Sequence, residues 1–153
     1  MDNVCYHMVV AIVVGKFEQT LDPKSRIRIP AKIRDAFGGE KLVMSMAGGK
    51  KILLQTLATV EELFEKADDL SVTDKDYDLG LTLWAESMRE LEEDSQGRFV
   101  IPKEFREHAD ITTGVVFIGR GKKVFMYAKA IWEAIKAGAV FADEFGKMRE
   151  GGI

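Results

Sequence analysis

The sequence predicts an α+β fold, mainly β with short helices, in which a duplicated module closes into one small pseudo-two-fold barrel. Three observations point there. The first is an internal repeat: Leu21–Phe37 (LDPKSRIRIPAKIRDAF) aligns with Glu93–Ala109 (EDSQGRFVIPKEFREHA) at a constant offset of 72 positions. Asp22 meets Asp94, Arg26 meets Arg98, Ile29 meets Ile101, Pro30 meets Pro102 and Arg34 meets Arg106. The register runs on without a gap through Val43 and Val115, Gly49-Lys50-Lys51 and Gly121-Lys122-Lys123, and Glu61 and Glu133. The second is the pattern inside each copy, which alternates short strands with short helices. The third is size. A unit of about fifty residues buries little core by itself, whereas two copies that pair their strands share one.

Each element has a local reason. Phe17, Gln19 and Leu21 begin an extended segment, and Asp22-Pro23-Lys24-Ser25 is a turn, because Asp bonds its own following backbone and Pro presets φ. The second copy has Gly97 in the place of Ser25, where glycine allows a positive φ. Arg26 to Ile29 alternates polar and apolar residues, as a half-buried strand does. Pro30 suits the first turn of a helix over Ala31–Phe37, and Gly38-Gly39 ends it. Lys41 to Met46 is a strand, Gly48-Gly49 a hairpin turn and Ile52 to Gln55 the returning strand. Thr59-Val60-Glu61-Glu62 is a capping-box pattern that opens a helix with Val60, Leu63, Phe64 and Ala67 on one face. Thr73, followed by Asp74 and Asp76, caps a linker helix carrying Tyr77, Leu81 and Trp84. Val140 to Met148 forms a further short helix through Phe141, Phe145 and Met148. The organisation is an N-terminal extension (1–14), a first repeat (15–67), an acidic helical linker (68–86), a second repeat (87–138) and a C-terminal tail (139–153).

Composition narrows the function. The chain has 153 residues, 46% hydrophobic and 31% charged, which excludes wholesale disorder. One cysteine, Cys5, cannot close an intrachain disulfide, and His7 and His108 are too far apart in sequence to build a zinc site with it. The longest apolar run, Met8 to Val14, falls short of the roughly 20 residues that span a bilayer. No basic residue precedes it, so it is a poor signal peptide and the expected location is cytoplasmic. The net charge of −3 opposes bulk attraction to nucleic acid. Along the chain, however, residues 15–58 sum to +5 and residues 95–153 to +3, around an acidic stretch 59–94 of −10. Such segregation predicts a basic face and an acidic face.

The two Asp-x-x-x-Arg turns, DPKSRIRIPAKIR and DSQGRFVIPKEFREHA, are each followed by Ile-Pro and an Arg-bearing helix. With the GKFEQTLD entry strand and the VFIGRGKK hairpin, they resemble the MraZ family, double-repeat members of the SpoVT/AbrB-like, swapped-hairpin DNA-binding proteins. The resemblance covers about residues 15 to 137. It implies a pseudo-two-fold swapped-hairpin barrel and a bacterial transcription regulator associated with the nucleoid. It implies action on the division and cell-wall gene cluster, including its own promoter, through double-stranded DNA carrying short direct repeats. It also implies a ring-shaped homo-oligomer. Ser25 departs from the glycine usual in the first motif, and Gln96 makes the second loop less basic than Lys24 makes the first. Residues 1–14 precede the usual family start and are read as dispensable.

In this reading Arg26 and Arg98 are the base readers, since a guanidinium pairs bidentately with guanine O6 and N7. Lys24 and Arg28 make phosphate or second base contacts, and Asp22 and Asp94 hold each turn and each Arg fork. Arg34 and Arg106 either add phosphate contacts or pair with acids on a helix. One isolated Asp-x-x-x-Arg turn would be a surface ion pair worth about 0–1 kcal/mol; its duplication inside basic segments favours function. Lys50-Lys51 and Lys122-Lys123 read as solvated hairpin ends, or as a subunit contact. His108 and Cys5 carry no ligand or catalytic pattern, and Trp84, Trp132, Phe64, Phe125 and Phe141 read as core. The acids Asp68, Asp69, Asp74, Asp76 and Asp78 lack calcium-loop spacing. No nucleophile or activated base accompanies the loops, so no enzyme, cofactor, metal or small-molecule substrate is expected. The alternative function is an AbrB-like protein-interaction module of antitoxin type.

Overall fold

The structure, a computed structural model, describes residues 12–68 and 75–152. The expectations placed on Cys5, His7, Asp69, Thr73 and Asp74 lie outside these residues. The described chain is a mixed α+β protein with eight strands and six helices. In order these are β1 (Val13–Thr20), β2 (Arg26–Arg28), α1 (Ala31–Phe37), β3 (Leu42–Ala47), β4 (Lys51–Thr56), α2 (Leu57–Asp68) and α3 (Lys75–Ser87). Then follow β5 (Arg89–Glu90), β6 (Arg98–Val100), α4 (Lys103–Ala109), β7 (Gly114–Gly121), β8 (Lys123–Ala128), α5 (Lys129–Gly138) and α6 (Phe141–Glu150).

The offset of 72 recurs in the elements themselves. It carries β2 onto β6, α1 onto α4 and β4 onto β8, end to end. It also carries the buried residues Ile27, Ile29, Ile33 and Phe37 onto the buried Phe99, Ile101, Phe105 and Ala109. All eight belong to one apolar cluster, completed by Leu54, Val115, Phe117 and Met126 from the long strands. Each large apolar side chain removed from water contributes roughly 1.5–3 kcal/mol, so the halves are held together by a core that neither contains alone.

A six-stranded antiparallel sheet runs in the order β1-β7-β8-β4-β3-β5, and β2 pairs separately with β6. Among the described residues the sheet is open, with β1 and β5 at its edges, and the barrel expected from the repeat is not closed. The reason is local. The counterpart of the eight-residue β1 is residues 85–92, but α3 occupies these as far as Ser87 and leaves a two-residue β5. That stub reaches only Val43 and Met44 of β3.

Two further expectations are corrected. Helix α2 begins at Leu57, and its cap is Thr56 rather than Thr59: the Thr56 hydroxyl accepts the Thr59 N–H at 3.1 Å. Phe141 is not core. It is 80% exposed on α6 and stacks on Phe145 at 5.7 Å, because no other element among the described residues covers that face. Strand β1 starts inside the segment read as dispensable, with Val13 buried against Gly119, where any Cβ would collide with the Val13 backbone. Helix α3 docks on β3 through the Trp84 indole, which donates to the buried Ser45 hydroxyl at 3.0 Å and stacks on Phe64. No helix among the described residues is long and apolar enough to cross a membrane.

Candidate nucleic-acid interface

The two Asp-x-x-x-Arg turns fold alike. In the first, the Ser25 N–H donates to the Asp22 carbonyl at 2.9 Å, and the Asp22 N–H donates to the Arg26 carbonyl at 2.9 Å. In the second, Gly97 donates to Asp94 at 3.0 Å and Asp94 to Arg98 at 2.8 Å. The aspartate side chain ties each turn. Asp22 Oδ1 accepts the backbone N–H groups of Lys24 and Arg26, both at 2.9 Å, while Oδ2 takes Arg26 Nε at 2.7 Å. Asp94 Oδ1 accepts the Gln96 and Arg98 N–H groups at 2.8 and 3.0 Å, and Oδ2 takes Arg98 Nε at 2.9 Å.

The turn requires a left-handed residue at its fourth position. Gly97 adopts φ 76 without cost, and Ser25 adopts φ 61 in the same place. The substitution of serine for glycine therefore leaves the geometry intact, at a cost of about 1–2 kcal/mol of backbone strain.

Both carboxylates sit below the usual carboxylate range. For Asp22 the main cause is the Arg26 backbone N–H, opposed by partial desolvation and reinforced by the Arg26 side chain and the Lys24 N–H. For Asp94 it is the Arg98 backbone N–H, again opposed by desolvation, then the Gln96 N–H and the Arg98 side chain. These bonds favour the ionised acid, so each turn is tied most firmly at neutral pH.

Strands β2 and β6 bring the turns side by side. They pair antiparallel, Arg26 opposite Val100, Ile27 opposite Phe99 and Arg28 opposite Arg98. Strand alternation sends Ile27 and Phe99 into the core, each 2% exposed, so the outer face carries Arg26, Arg28, Arg98 and Val100. The loops also touch each other. Arg98 Nη1 lies 3.9 Å from Asp22 Oδ2, and Arg28 Nη2 makes a long 3.5 Å contact with Gln96 Oε1. Lys24 stands exposed at the first turn. Four cations thus face two carboxylates on one narrow two-stranded ribbon.

Arg34 and Arg106 are placed differently. The Arg34 guanidinium grips Glu93 with both terminal nitrogens, Nη1 reaching Oε1 at 3.2 Å and Nη2 bonding Oε2. Arg106 Nε donates to the Ile101 carbonyl at 3.0 Å. The asymmetry follows from the repeat: Glu93 occupies the position of Leu21, so Arg34 finds an acid from the second copy, whereas the counterpart position for Arg106 holds a buried leucine. The sequence reading missed Glu93 and Val100. Glu93 was detectable, because the repeat alignment sets a charge where the first copy has an apolar residue.

Other predicted charges are engaged locally. Lys50 Nζ lies 2.5 Å from Asp110 Oδ2, Lys51 sits over the Phe125 ring at 4.9 Å, and His108 Nε2 is 2.9 Å from the Ala47 carbonyl.

The chain matches the family described as "MraZ protein, putative antitoxin-like" over residues 12–81 and 87–145. It belongs to the MraZ family. Each matched segment includes one Asp-x-x-x-Arg turn. Among relatives, a protein of Caldanaerobacter subterraneus named "Transcriptional regulator MraZ" is 35% identical over 122 residues, 80% of this chain and 85% of that protein. Proteins of the same name from Leuconostoc mesenteroides and Clostridium beijerinckii are 32% and 31% identical. The first of these matches covers 90% of this chain and 94% of the relative, the second 92% and 99%. In this MraZ family member the ribbon therefore lies within the part of the chain that the relatives share.

Proposed function

We propose that this chain is a sequence-specific DNA-binding transcriptional regulator that reads DNA through the β2–β6 ribbon. One observation carries the reading: Arg26, Arg28 and Arg98 share the outer face of a two-stranded ribbon, with Arg26 held by Asp22 through Nε alone and Arg98 held by Asp94 through Nε, its Nη1 at 3.9 Å from Asp22. A ribbon of this width fits the major groove, and a guanidinium anchored at Nε leaves both terminal nitrogens to pair with guanine O6 and N7. Lys24 and Arg28 supply phosphate contacts that position the ribbon. Asp22 and Asp94 serve the site indirectly, by orienting the arginines. Arg34 braces the motif rather than contacts DNA, since its terminal nitrogens are turned to Glu93, whereas Arg106 is anchored through Nε to the Ile101 carbonyl and adds a phosphate contact.

The names of the relatives support a regulatory role. The finer reading extends the family resemblance. The repeats 15–67 and 87–138 form one swapped-hairpin unit, and a ring-shaped homo-oligomer sets several ribbons on successive direct repeats. The expected target is the division and cell-wall cluster, including its own promoter, and the expected location is the cytoplasm, at the nucleoid. The test is a gel shift with the chain's own upstream DNA against scrambled duplex across a salt series. The expected result is selective binding whose logarithm falls linearly with log salt, by about 0.9 per phosphate engaged. Binding that ignores both sequence and salt overturns the reading.

The family's description as antitoxin-like favours a second reading, an interaction module for a toxin. It predicts a tight one-to-one protein complex that survives purification, with no selectivity for the upstream DNA.

A further inference from the structure

A cavity of about 200 Å³ lies away from the ribbon, where the exposed face of α2 meets the β7–β8 hairpin. None of the residues that line it belongs to the β2–β6 face. Its wall is cationic. Lys66 comes from α2, and Lys122 and Lys123 come from the hairpin. Among the described residues none of the three is in an ion pair, whereas Lys50, Lys129 and Lys147 each have a carboxylate partner. Its floor holds Gln55, which is 1% exposed and whose Nε2 is a buried donor without a hydrogen-bond partner. A buried amide left without an acceptor costs about 1–3 kcal/mol, so a donor orphaned beneath a cavity gains one when a ligand seated there draws the amide towards it. Thr59 adds a hydroxyl. Its oxygen accepts from Thr56 at 2.9 Å, which leaves its own proton to donate into the cavity.

The second copy shows that this arrangement is not a by-product of the repeat. The offset of 72 places Tyr127, Ile131, Ala134 and Gly138 where the first copy has Gln55, Thr59, Glu62 and Lys66. The corresponding lysines there, Lys50 and Lys51, are engaged with Asp110 and with the Phe125 ring. The second copy has an orphan donor of its own, Trp132 Nε1 beside Tyr127, but the lysines there are engaged; only the α2 site joins lysines without an ion pair among the described residues to an orphan donor.

We propose that this cavity binds a small phosphorylated molecule. Three ammonium groups, an amide N–H and a hydroxyl make a donor set that suits the several acceptor oxygens of a phosphoryl group. Glu62 stands on the same wall and opposes a bare anion. It suits a ligand that also carries hydroxyl groups for a carboxylate to accept, which makes a sugar phosphate the fitting class. The cavity volume agrees with a molecule of that size. The inference does not rest on the DNA reading, since binding is measured with no DNA present.

The experiment is isothermal titration of the full chain with glucose 6-phosphate, with inorganic phosphate and with glucose, at fixed ionic strength. Saturable binding of glucose 6-phosphate is expected, weaker binding of phosphate and none of glucose. Lys66→Ala and Lys123→Ala are each expected to weaken it about tenfold, as the loss of one charged hydrogen bond does. Both lysines are exposed, so the variants keep the fold, and Gln55→Leu removes the orphan donor without removing its volume. No saturable binding by the unaltered chain, or equal binding by all three variants, overturns the proposal. Operator affinity of the lysine variants separates the two sources of phosphoryl groups. If Lys123→Ala loses operator affinity while glucose 6-phosphate fails to bind, the lysines serve the DNA backbone and the small-molecule site is refuted.

Discussion

Replacing Arg26 with alanine separates reading from holding. In the structure Asp22 engages Arg26 through Nε at 2.7 Å, and the side chain remains 27% exposed. The two terminal nitrogens supply a bidentate pair worth about 1–3 kcal/mol of discrimination against a wrong base. At 1.4 kcal/mol per decade, Arg26→Ala is expected to lower the ratio of operator to scrambled affinity by about 5- to 150-fold for each ribbon engaged. The fold is expected to survive, because Asp22 still holds the turn through the backbone N–H groups of residues 24 and 26. A solvent-accessible pair of this kind contributes about 1 kcal/mol or less to stability. Lys24→Ala is the control. It removes a point charge, so it is expected to weaken operator and scrambled duplex alike and to lower the salt slope by about 0.9. Arg98→Ala is expected to cost less selectivity than Arg26→Ala, since that guanidinium is shared between Asp94 and Asp22. The assay is fluorescence anisotropy with labelled operator and scrambled duplexes at three salt concentrations, after circular dichroism and sedimentation confirm fold and assembly. If folded, assembled Arg26→Ala keeps the full operator-to-scrambled ratio, the motif is a structural turn and the reading element lies elsewhere.

Three other outcomes are expected. Ser25→Gly relieves the left-handed strain at φ 61 and is expected to stabilise the chain by about 1 kcal/mol, a rise in melting temperature of about 2–4 °C; a lower melting temperature refutes the strain. Thr56→Ala removes the cap of α2 and is expected to cost about 1 kcal/mol in urea unfolding, whereas Thr59→Ala costs less; the reverse order restores Thr59 as the cap. The carboxylates of Asp22 and Asp94 are lowered in the folded chain, so their stabilisation is full above the ordinary carboxylate pKa and is lost as pH falls below about 4 through the folded value. Urea unfolding from pH 7 to pH 2.5 is expected to show that loss, and the Asp22→Asn, Asp94→Asn double variant to flatten it; an unchanged acid limb in the double variant refutes the assignment.

Much of the architecture was legible because it is periodic. A constant offset of 72 identifies two copies without reference to any contact, and α1 starts and stops where Pro30 and Gly38 say it must. The paired aspartates and arginines were legible for the same reason, since Asp side chains bond backbone two and four residues on, a purely local act. Helix caps were harder. Thr56 and Thr59 both fit a cap on local grounds, and the choice fell to where β4 ends.

What was not legible depended on distance along the chain. Nothing in Arg34 or Glu93 taken singly announces a pair 59 residues apart, and nothing in Val100 says that it shares a face with Arg26. The truncation of β5 was hidden too, because α3 competes for the residues that the repeat assigns to a strand. The duplication, the two turns and the residues that tie them follow from the order of residues along the chain, because backbone propensity and short-range hydrogen bonds act within a few residues. Packing settled that β2 pairs with β6, that three arginines share one surface and that, among the described residues, the sheet is open. Those outcomes depend on which strands pack across a common core, and that choice is made by contacts between the copies rather than within either one.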